Sequence, residues 1–292
     1  MSSRNIFLNI ALFISTSCLM LYICDMKKLM NTLICLFLYV NVFAEEVIVI
    51  DTSKAIFQKK ALVILNGFGD SKKNRKVQKK FFQNKGYDLF IPKYVKRKSI
   101  KLTQQTFTHF YYSNNLDSYK EVNFLCYIVG GLILNKHIEK NGKGKITKII
   151  YDRSPTQERA AKVATKKLPI ISRIMYGKVL SDFSKEKLVS LTSDKDLDIG
   201  LIIENKATRL MRFFEKSAAK YGKYNFNAIQ IESNYDDFIY TILDHDLMYT
   251  RFDIIGDEIF YFLQNSKFPN NSRREKYHWN PFEKIKIDDI NL

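Results

Sequence analysis

Apolar and polar residues follow two alternating patterns along this chain, short strand-like runs and longer stretches with helical spacing. Continuous apolar or β-rich runs predict strands at residues 46–51, 61–65, 87–91, 122–129, 146–151, 198–203 and 228–232. Apolar residues three and four positions apart predict helices at about 72–84, 130–139, 156–167 and 253–264. Because strands and helices alternate, we predict an α/β fold, with a doubly wound, mostly parallel sheet and helices on both faces.

The composition supports one large globular domain. Of the 292 residues, 46% are apolar and 14% are aromatic, which is enough to fill a full core. We find no Pro- or Ser-rich linker that would divide the chain. The expected organisation is an N-terminal leader at 1–44, a domain at 45–268 and a polar tail at 269–292.

The leader contains two apolar runs with different implications. Residues 6–24 carry no charged side chain and are long enough, at about 1.5 Å per residue, to cross a hydrocarbon core of about 30 Å. Residues 26–44 have the features of an export signal: Lys27 and Lys28, an apolar stretch, and small Ala44 at its end. We therefore predict export to the periplasm or the extracellular space. The alternative is a protein anchored by residues 6–24, which would contact the membrane through this uncleaved segment.

The net charge of +17 comes largely from lysine. Lysine is a hydrated point charge and lacks the planar fork with which arginine reads phosphates and bases. We therefore predict a solvated basic surface and no specific nucleic-acid site. Binding of anionic polymers is a further hypothesis that rests on charge alone.

The cysteines and histidines do not form a metal-binding pattern. Cys126 is the one cysteine of the predicted domain, so it has no partner for an internal disulfide. The four histidines are scattered, and none has the Cys or His spacing of a zinc site. The sequence predicts neither a metal nor a cofactor.

Residues 62–71 combine an apolar strand with a glycine-containing turn, Asn66-Gly67-Phe68-Gly69. This stretch resembles the early strand and oxyanion loop of the lipase- and esterase-like α/β-hydrolase superfamily, with Asn66 in place of the usual histidine. The resemblance implies that residues 66–69 bind a substrate oxygen or a ligand, because glycines let an amide near Phe68 or Gly69 turn towards developing negative charge. An ordinary strand-to-helix turn is the alternative.

Residues 126–131 resemble the superfamily's nucleophile elbow, Gly-x-Ser-x-Gly, without its key residues. Aligned on Gly130, Ile128 stands in place of the serine and Cys126 in place of the first glycine. Isoleucine cannot attack a carbonyl, and its β-branch is costly at the positive φ of a true elbow. The alternative for these residues is a buried strand that enters a helix.

The resemblance also implies a histidine after the last strand and an acid after the strand before it. His245 is the candidate histidine, and Glu204, directly after the strand at 198–203, is the candidate acid. Asp196 is the rival acid if the strand is instead 188–191. Alternatively, His245 is a loop histidine held by Asp244, Asp246 or Asp236.

Residues 148–155 resemble the next strand of the superfamily and its loop, which often ends in Asp-x-x-Pro. The basic segment at 156–184 would then be a short cap over the pocket. Arg153, Glu158 and Arg159 form either a polar cluster over this pocket or ordinary ion pairs at a solvated helix start.

Two hypotheses about function follow, and whether the chain is an enzyme stays open. The first, favoured by Ile128, is an exported or membrane-anchored protein of this superfamily that lacks standard serine-hydrolase catalysis and binds a small apolar or acyl ligand, or a partner. The second is an ester or amide hydrolase with His245 as base. Its nucleophile would be Cys126, Ser154 or a water molecule.

Overall fold

A computed structural model describes residues 46–192 and 194–284. Seven strands form one sheet in the order β1-β3-β2-β4-β5-β6-β7. Their bounds are β1 Val47–Val49, β2 Lys60–Leu65, β3 Asp88–Ile91, β4 Glu121–Cys126, β5 Ile146–Arg153, β6 Asp198–Lys206 and β7 Asp237–Asp244. Strand β1 pairs antiparallel with β3, and the other neighbours are parallel. The predicted doubly wound, mostly parallel sheet is confirmed.

Helices connect the strands and cover both faces of the sheet. The α-helices are α1 Lys72–Phe82, α2 Ile100–Ser113, α3 Ile128–Asn141, α4 Ala160–Lys167, α5 Pro169–Tyr176, α6 Lys178–Phe183, α7 Arg209–Phe213, α8 Glu215–Ala218, α9 Ala228–Ile231, α10 His245–Met248 and α11 Phe252–Asn265. Short 3-10 helices lie at Ile56–Gln58, Leu116–Ser118, Gln157–Arg159 and Ala219–Tyr221.

Two hydrophobic cores lie on opposite faces of the sheet, because successive strand residues point to opposite sides. Val63 and Phe124 pack into one core with helices α2 and α3. Their neighbours Leu62 and Leu125 pack into the other core with α11. The central strands are therefore buried on both faces, as their continuous apolar runs predicted.

The local sequence of helix α1 accounts for its start and for the side that it buries. The Ser71 side chain accepts a hydrogen bond from the Asn74 amide at 3.1 Å and caps the first turn. Lysines cover its outer side, and Phe82 is buried in the core of the sheet. The helix predicted at 72–84 is confirmed, apart from its last residues.

Two predicted strand positions are wrong. Residues 228–231 form the short helix α9, whose first turn is capped by the Asn227 side chain, and the last strand is β7. Strand β4 stops at Cys126, so residues 128 and 129, predicted as strand, belong to helix α3. This shift places Ile128 at the first position of a helix.

The segment after residue 268 packs on the domain. The Trp279 indole donates to the Asn205 carbonyl at 3.1 Å, and the Ala207 amide donates to the Pro281 carbonyl at 2.8 Å. Residues 269–284 of the predicted tail are therefore part of the packed domain.

Within residues 46–192 and 194–284, no helix combines the length and apolarity needed to cross a membrane. The predicted membrane segment at 6–24 and export signal at 26–44 lie outside the described residues.

Candidate functional site

The carboxyl ends of the parallel strands meet at one edge of the sheet, where open α/β sheets bind their ligands. Strand β5 places Asp152 opposite Ile202 of β6, and Glu204 follows two residues later on the same side of β6. His245 begins helix α10 directly after β7. The register of the sheet thus brings Asp152, Glu204 and His245 together.

His245 is held through one ring nitrogen by buried carboxylates. Its Nδ1 lies 2.6 Å from Glu204 Oε1 and 3.5 Å from Asp152 Oδ2. Both carboxyl side chains are fully buried, and His245 is 7% exposed. The structure thus places the two predicted residues His245 and Glu204 in direct contact and adds Asp152 beside them.

Burial and mutual charge shift the protonation of this trio. Burial, together with the Asp152 charge, raises the pKa of Glu204 well above its ordinary value. Burial alone would lower the pKa of His245, but the Glu204 and Asp152 carboxyls raise it well above its ordinary value. The carboxyls beside His245 thus stabilise a positive charge on its ring.

The same three residues could be read as ligands of a metal ion, because their oxygen and nitrogen atoms lie within 4.8 Å of one another. Two ligand atoms about 2.0–2.1 Å from one tetrahedral ion lie more than about 3 Å apart. The 2.6 Å separation of His245 Nδ1 and Glu204 Oε1 is instead that of a direct hydrogen bond. The arrangement fits a hydrogen-bonded acid–histidine pair better than a metal centre.

The second ring nitrogen of His245, Nε2, lies 3.4 Å from the Tyr249 hydroxyl. That hydroxyl also accepts a hydrogen bond from the Gly67 amide at 3.2 Å. The Tyr249 ring stacks on Tyr127 with centroids 4.0 Å apart, and Tyr127 donates to the Met248 carbonyl at 3.0 Å. Two stacked tyrosines thus fill the space between the histidine and the glycine loop.

The elbow position has an ordinary backbone. Positive φ occurs among the described non-glycine residues at Asn115 and Ser266 alone, so Ile128 carries no elbow strain. Ile128 is 6% exposed and is the first residue of α3. Gly130 keeps its role in packing, because a Cβ there would lie 2.3 Å from the Leu65 carbonyl oxygen.

Asn66 fixes the predicted oxyanion loop. Its side-chain amide donates to Asp70 and to Gln78, both at 3.0 Å, and its oxygen accepts from Gln78 at 2.7 Å. Asn66 is 1% exposed, so its side chain ties the loop to helix α1. Gly67, Phe68 and Gly69 line a cavity instead.

This cavity, called the apolar cavity below, has a volume of about 80 Å³. Its wall brings together the loop, the elbow position and the histidine through Phe68, Ile128 and His245, and Ala161 and Ala164 of α4 complete it. The volume exceeds that of two water molecules at about 30 Å³ each. It is large enough for a short alkyl or acyl group.

The remaining candidates lie elsewhere or are sealed in the protein. Asp196 is 89% exposed and lies 3.7 Å from Lys143, so the prediction of Asp196 as the rival acid is wrong, and residues 188–191 are not a strand. Cys126 is fully buried, and burial raises the pKa of its thiol well above the ordinary value. Ser154 is also fully buried and accepts from the Gln157 amide at 3.3 Å.

The three aspartates proposed as holders of His245 have other positions. Asp244 caps helix α10 by accepting from the Leu247 amide at 3.2 Å, and Asp236 accepts from the Ile199 amide at 2.7 Å. Asp246 is exposed. Glu204 is the hydrogen-bonding partner of Nδ1.

The sequence reasoning did not identify Asp152, Tyr127 and Tyr249 as site residues. Tyr249 follows His245 by four residues, one helical turn, and this spacing was a usable signal of contact. Tyr127 adjoins the elbow position. Asp152 directly follows the strand predicted at 146–151, at the same edge as Glu204, which was a signal as well.

Comparison with known proteins shows the fold. No protein-family model matches this sequence, and neither does any curated protein. Among solved structures, Est1E from Butyrivibrio proteoclasticus has a TM-score of 0.51 and 9% identity over 76% of this chain and 93% of that chain. A structure from work on LipS and LipT, two metagenome-derived lipolytic enzymes, also has a TM-score of 0.51, with 8% identity over 77% of this chain and 97% of that chain.

Proposed function

We propose, on the premise that this chain has the α/β-hydrolase fold, that it binds a small ligand at the hydrolase site without serine-hydrolase catalysis. The observation that carries the proposal is the contact of His245 Nε2 with the Tyr249 hydroxyl. In a serine hydrolase this nitrogen takes the proton of the nucleophile. Here it faces a buried phenol, while Ile128 stands at the elbow.

The cysteine and the serine proposed as substitute nucleophiles do not reach the cavity. Cys126 and Ser154 have no exposed surface, and neither lines the apolar cavity. Burial raises the pKa of Tyr249 well above its ordinary value, so its phenolate is disfavoured. Burial also raises the pKa of Tyr176, which lines the cavity, so a covalent mechanism has no activated thiol or hydroxyl among these residues.

The shape of the apolar cavity supports binding. Its wall combines apolar side chains with the loop at residues 67–69, and a few polar groups in a mostly apolar pocket are typical of ligand sites. Phe68 makes edge-to-face contacts with Tyr176 and Phe183, which hold the loop against the cap. The ligand class is a small molecule with a short apolar or acyl group.

A second candidate function is hydrolysis by a water molecule that His245 activates. The short Glu204–His245 contact beside a cavity favours it, because a carboxylate that orients a histidine is the arrangement of a general base. The raised pKa of His245 opposes this function, because a general base must be able to lose its proton.

Ethyl butyrate distinguishes binding from turnover. We expect saturation-transfer NMR to show contact of the ester with the purified full chain and a weaker signal in Ala164→Leu, which fills the cavity. Ala55→Leu, at an exposed position, is the matched control. We expect butyrate release no faster than in His245→Ala. Release that His245→Ala abolishes would overturn the loss of catalysis, and no saturation transfer would overturn binding.

We also propose that the protein is exported, or is anchored through residues 6–24, with no specific nucleic-acid partner. The charge and apolarity pattern of residues 1–44 supports this proposal. N-terminal sequencing of the accumulated protein tests it. A start near Glu45 indicates cleavage, an intact Met1 in the membrane fraction indicates an anchor, and an intact chain in the soluble cytoplasmic fraction would contradict both.

A further inference from the structure

A second and larger cavity, called the basic cleft below, lies beside the apolar cavity and has a volume of about 440 Å³. This volume is within the range of small-molecule sites. Phe183 lines both cavities, so the two are neighbours in the protein. A third cavity of about 10 Å³ shares Ile128 with the apolar cavity and Arg153 with the basic cleft.

The charge of the basic cleft is one-sided. Its basic lining residues are Arg153, Arg159, Lys162, Lys187 and Lys223. Its acidic lining residues are Glu158 and Glu186, and each already has a basic partner: Arg153 at 2.6 Å and Lys136 at 3.1 Å. The cleft therefore has positive charge that its own carboxylates do not neutralise.

Three lysines supply this excess. Lys162, Lys187 and Lys223 are exposed, and none of them forms an ion pair with another residue in the part of the chain that the structure describes. They come from helix α4, from the segment after α6 and from the loop before α9. Three ammonium groups around one concave surface favour an anion with several oxygen atoms.

Arg153 places a mostly buried positive charge, held by hydrogen bonds, at the base of the cleft. It is 9% exposed, and its guanidinium donates through Nε to Glu158 and through Nη1 to Glu232 at 3.5 Å. Among the described residues, Nη2 has no hydrogen-bond partner, although Arg153 lines the cleft. A buried guanidinium with one unused nitrogen is suited to an oxyanion, because it is held in place before the ligand arrives.

Arg159 shapes the wall and does not compete for the ligand. Its guanidinium donates to the carbonyls of Ala218 and Lys223 at 3.2 and 2.5 Å and lies 3.9 Å from the Tyr224 ring centroid. These contacts hold the loop that carries Lys223 against α4. Arg153 and Arg159 thus give the cleft a wall held by hydrogen bonds, with the three lysines at its surface.

We propose that the basic cleft binds the oxyanion head of a phosphorylated small molecule whose short apolar end passes Phe183 into the apolar cavity. The assignment of the apolar end rests on the proposed function, whereas the assignment of the phosphate rests on the cleft alone. The ligand is then an amphipathic phosphomonoester.

Calorimetric titration of the purified full chain tests this proposal with inorganic phosphate, n-propyl phosphate and n-propanol. We expect n-propyl phosphate to bind about tenfold more tightly than inorganic phosphate, because burial of its propyl group is favourable. We expect propanol alone to bind more weakly than n-propyl phosphate. Equal affinities of the two phosphates would overturn the continuous site.

The charge of the cleft is tested by a triple variant, Lys162→Gln, Lys187→Gln and Lys223→Gln. We expect the variant to bind inorganic phosphate and n-propyl phosphate at least about tenfold more weakly than the parent chain, because it lacks the unpaired ammonium groups. The matched control replaces Lys73, Lys76 and Lys80, exposed on helix α1 and outside the cleft, with the same loss of charge. Equal weakening in both variants would show general charge attraction and would overturn the proposal.

The Ala164→Leu variant tests the site of the apolar end separately from the site of the phosphate. We expect this variant to bring n-propyl phosphate to the affinity of inorganic phosphate while inorganic phosphate binds as in the parent chain. If this variant bound neither inorganic phosphate nor n-propyl phosphate, the phosphate and the apolar end would not have separate sites. Ester turnover would refute the proposed function and leave the phosphate titrations unaffected, so the two failures are distinguishable.

Discussion

Gly130 lies where helix α3 crosses the end of strand β2, at a position with no room for a side chain. A Cβ on Gly130 would lie 2.3 Å from the Leu65 carbonyl oxygen and 2.6 Å from Leu65 Cβ. The next residue, Gly131, is less crowded, because its Cβ would lie 3.0 Å from the Tyr151 ring. The substitutions Gly130→Ala and Gly131→Ala therefore form a matched pair on one helix.

The magnitudes follow from two opposed effects. Alanine gains about 1 kcal/mol over glycine inside a helix, and this gain is the same at both positions. Gly130→Ala must also move α3 away from a backbone carbonyl, and such overpacking costs about 1–3 kcal/mol or more. Gly131→Ala needs a shift of only a few tenths of an ångström in one ring. Because the approach of 2.3 Å is to a backbone oxygen, the cost lies at the upper end of this range, and we expect a net loss of about 2 kcal/mol or more at 130 and a change near zero at 131.

Urea unfolding followed by circular dichroism measures both variants against the parent chain. We expect the midpoint of Gly130→Ala to fall with an unchanged m-value, and the midpoint of Gly131→Ala to stay close to that of the parent. A Gly130→Ala variant as stable as the parent would refute the close helix–strand contact. An equal loss in both variants would refute the distinction between them.

Three further predictions concern titratable groups. Glu204→Gln is expected to lower the pKa of His245, measured by NMR of the imidazole, because it removes a carboxylate that raises it; an unchanged pKa would contradict the contact. Burial lowers the pKa of His137 from 6.5 to about 4. Since the unfolded chain binds this proton first as the pH falls, the contribution of His137 to stability should drop by about 2 kcal/mol from about pH 7 to pH 5. The free energy of unfolding, measured at both pH values, should fall less in His137→Gln than in the parent chain. The control His109→Gln, at an exposed position, should lose as much as the parent. Equal losses in the two variants would contradict this assignment. Native Cys126 should resist iodoacetamide in peptide mapping and react after unfolding; rapid native labelling would show an accessible thiol.

The sequence predicted the central strands of the sheet better than strand β7 and the short helix α9 before it. The central strands are continuous apolar runs buried on both faces, so their pattern determined them. Strand β7 begins and ends with aspartate, and Asp237 is satisfied by the Phe268 amide at 2.7 Å and by Arg274 at 3.0 Å. These partners lie about thirty or more residues away, and no local pattern reveals them. The short helix α9 was mistaken for this strand for the same reason.

The sequence predicted those site residues that directly follow a strand. Glu204 and His245 follow successive strands, so parallel pairing brings them to one edge. The contact of Tyr249 with Gly67 joins residues 182 positions apart and depends on how α10 turns back over the loop. The lysines of the basic cleft come from three separate segments, which the charge pattern alone could not place together.

The most direct test of the account is whether the chain forms a covalent adduct with a fluorophosphonate. The full chain, the His245→Ala variant and a serine esterase as positive control are incubated with the reagent and weighed by intact-protein mass spectrometry. We predict an adduct on the esterase and none on this chain, because Ile128 cannot attack and His245 Nε2 faces Tyr249. A stoichiometric adduct on this chain that His245→Ala abolishes would contradict the claim that its hydrolase fold lacks a working nucleophile.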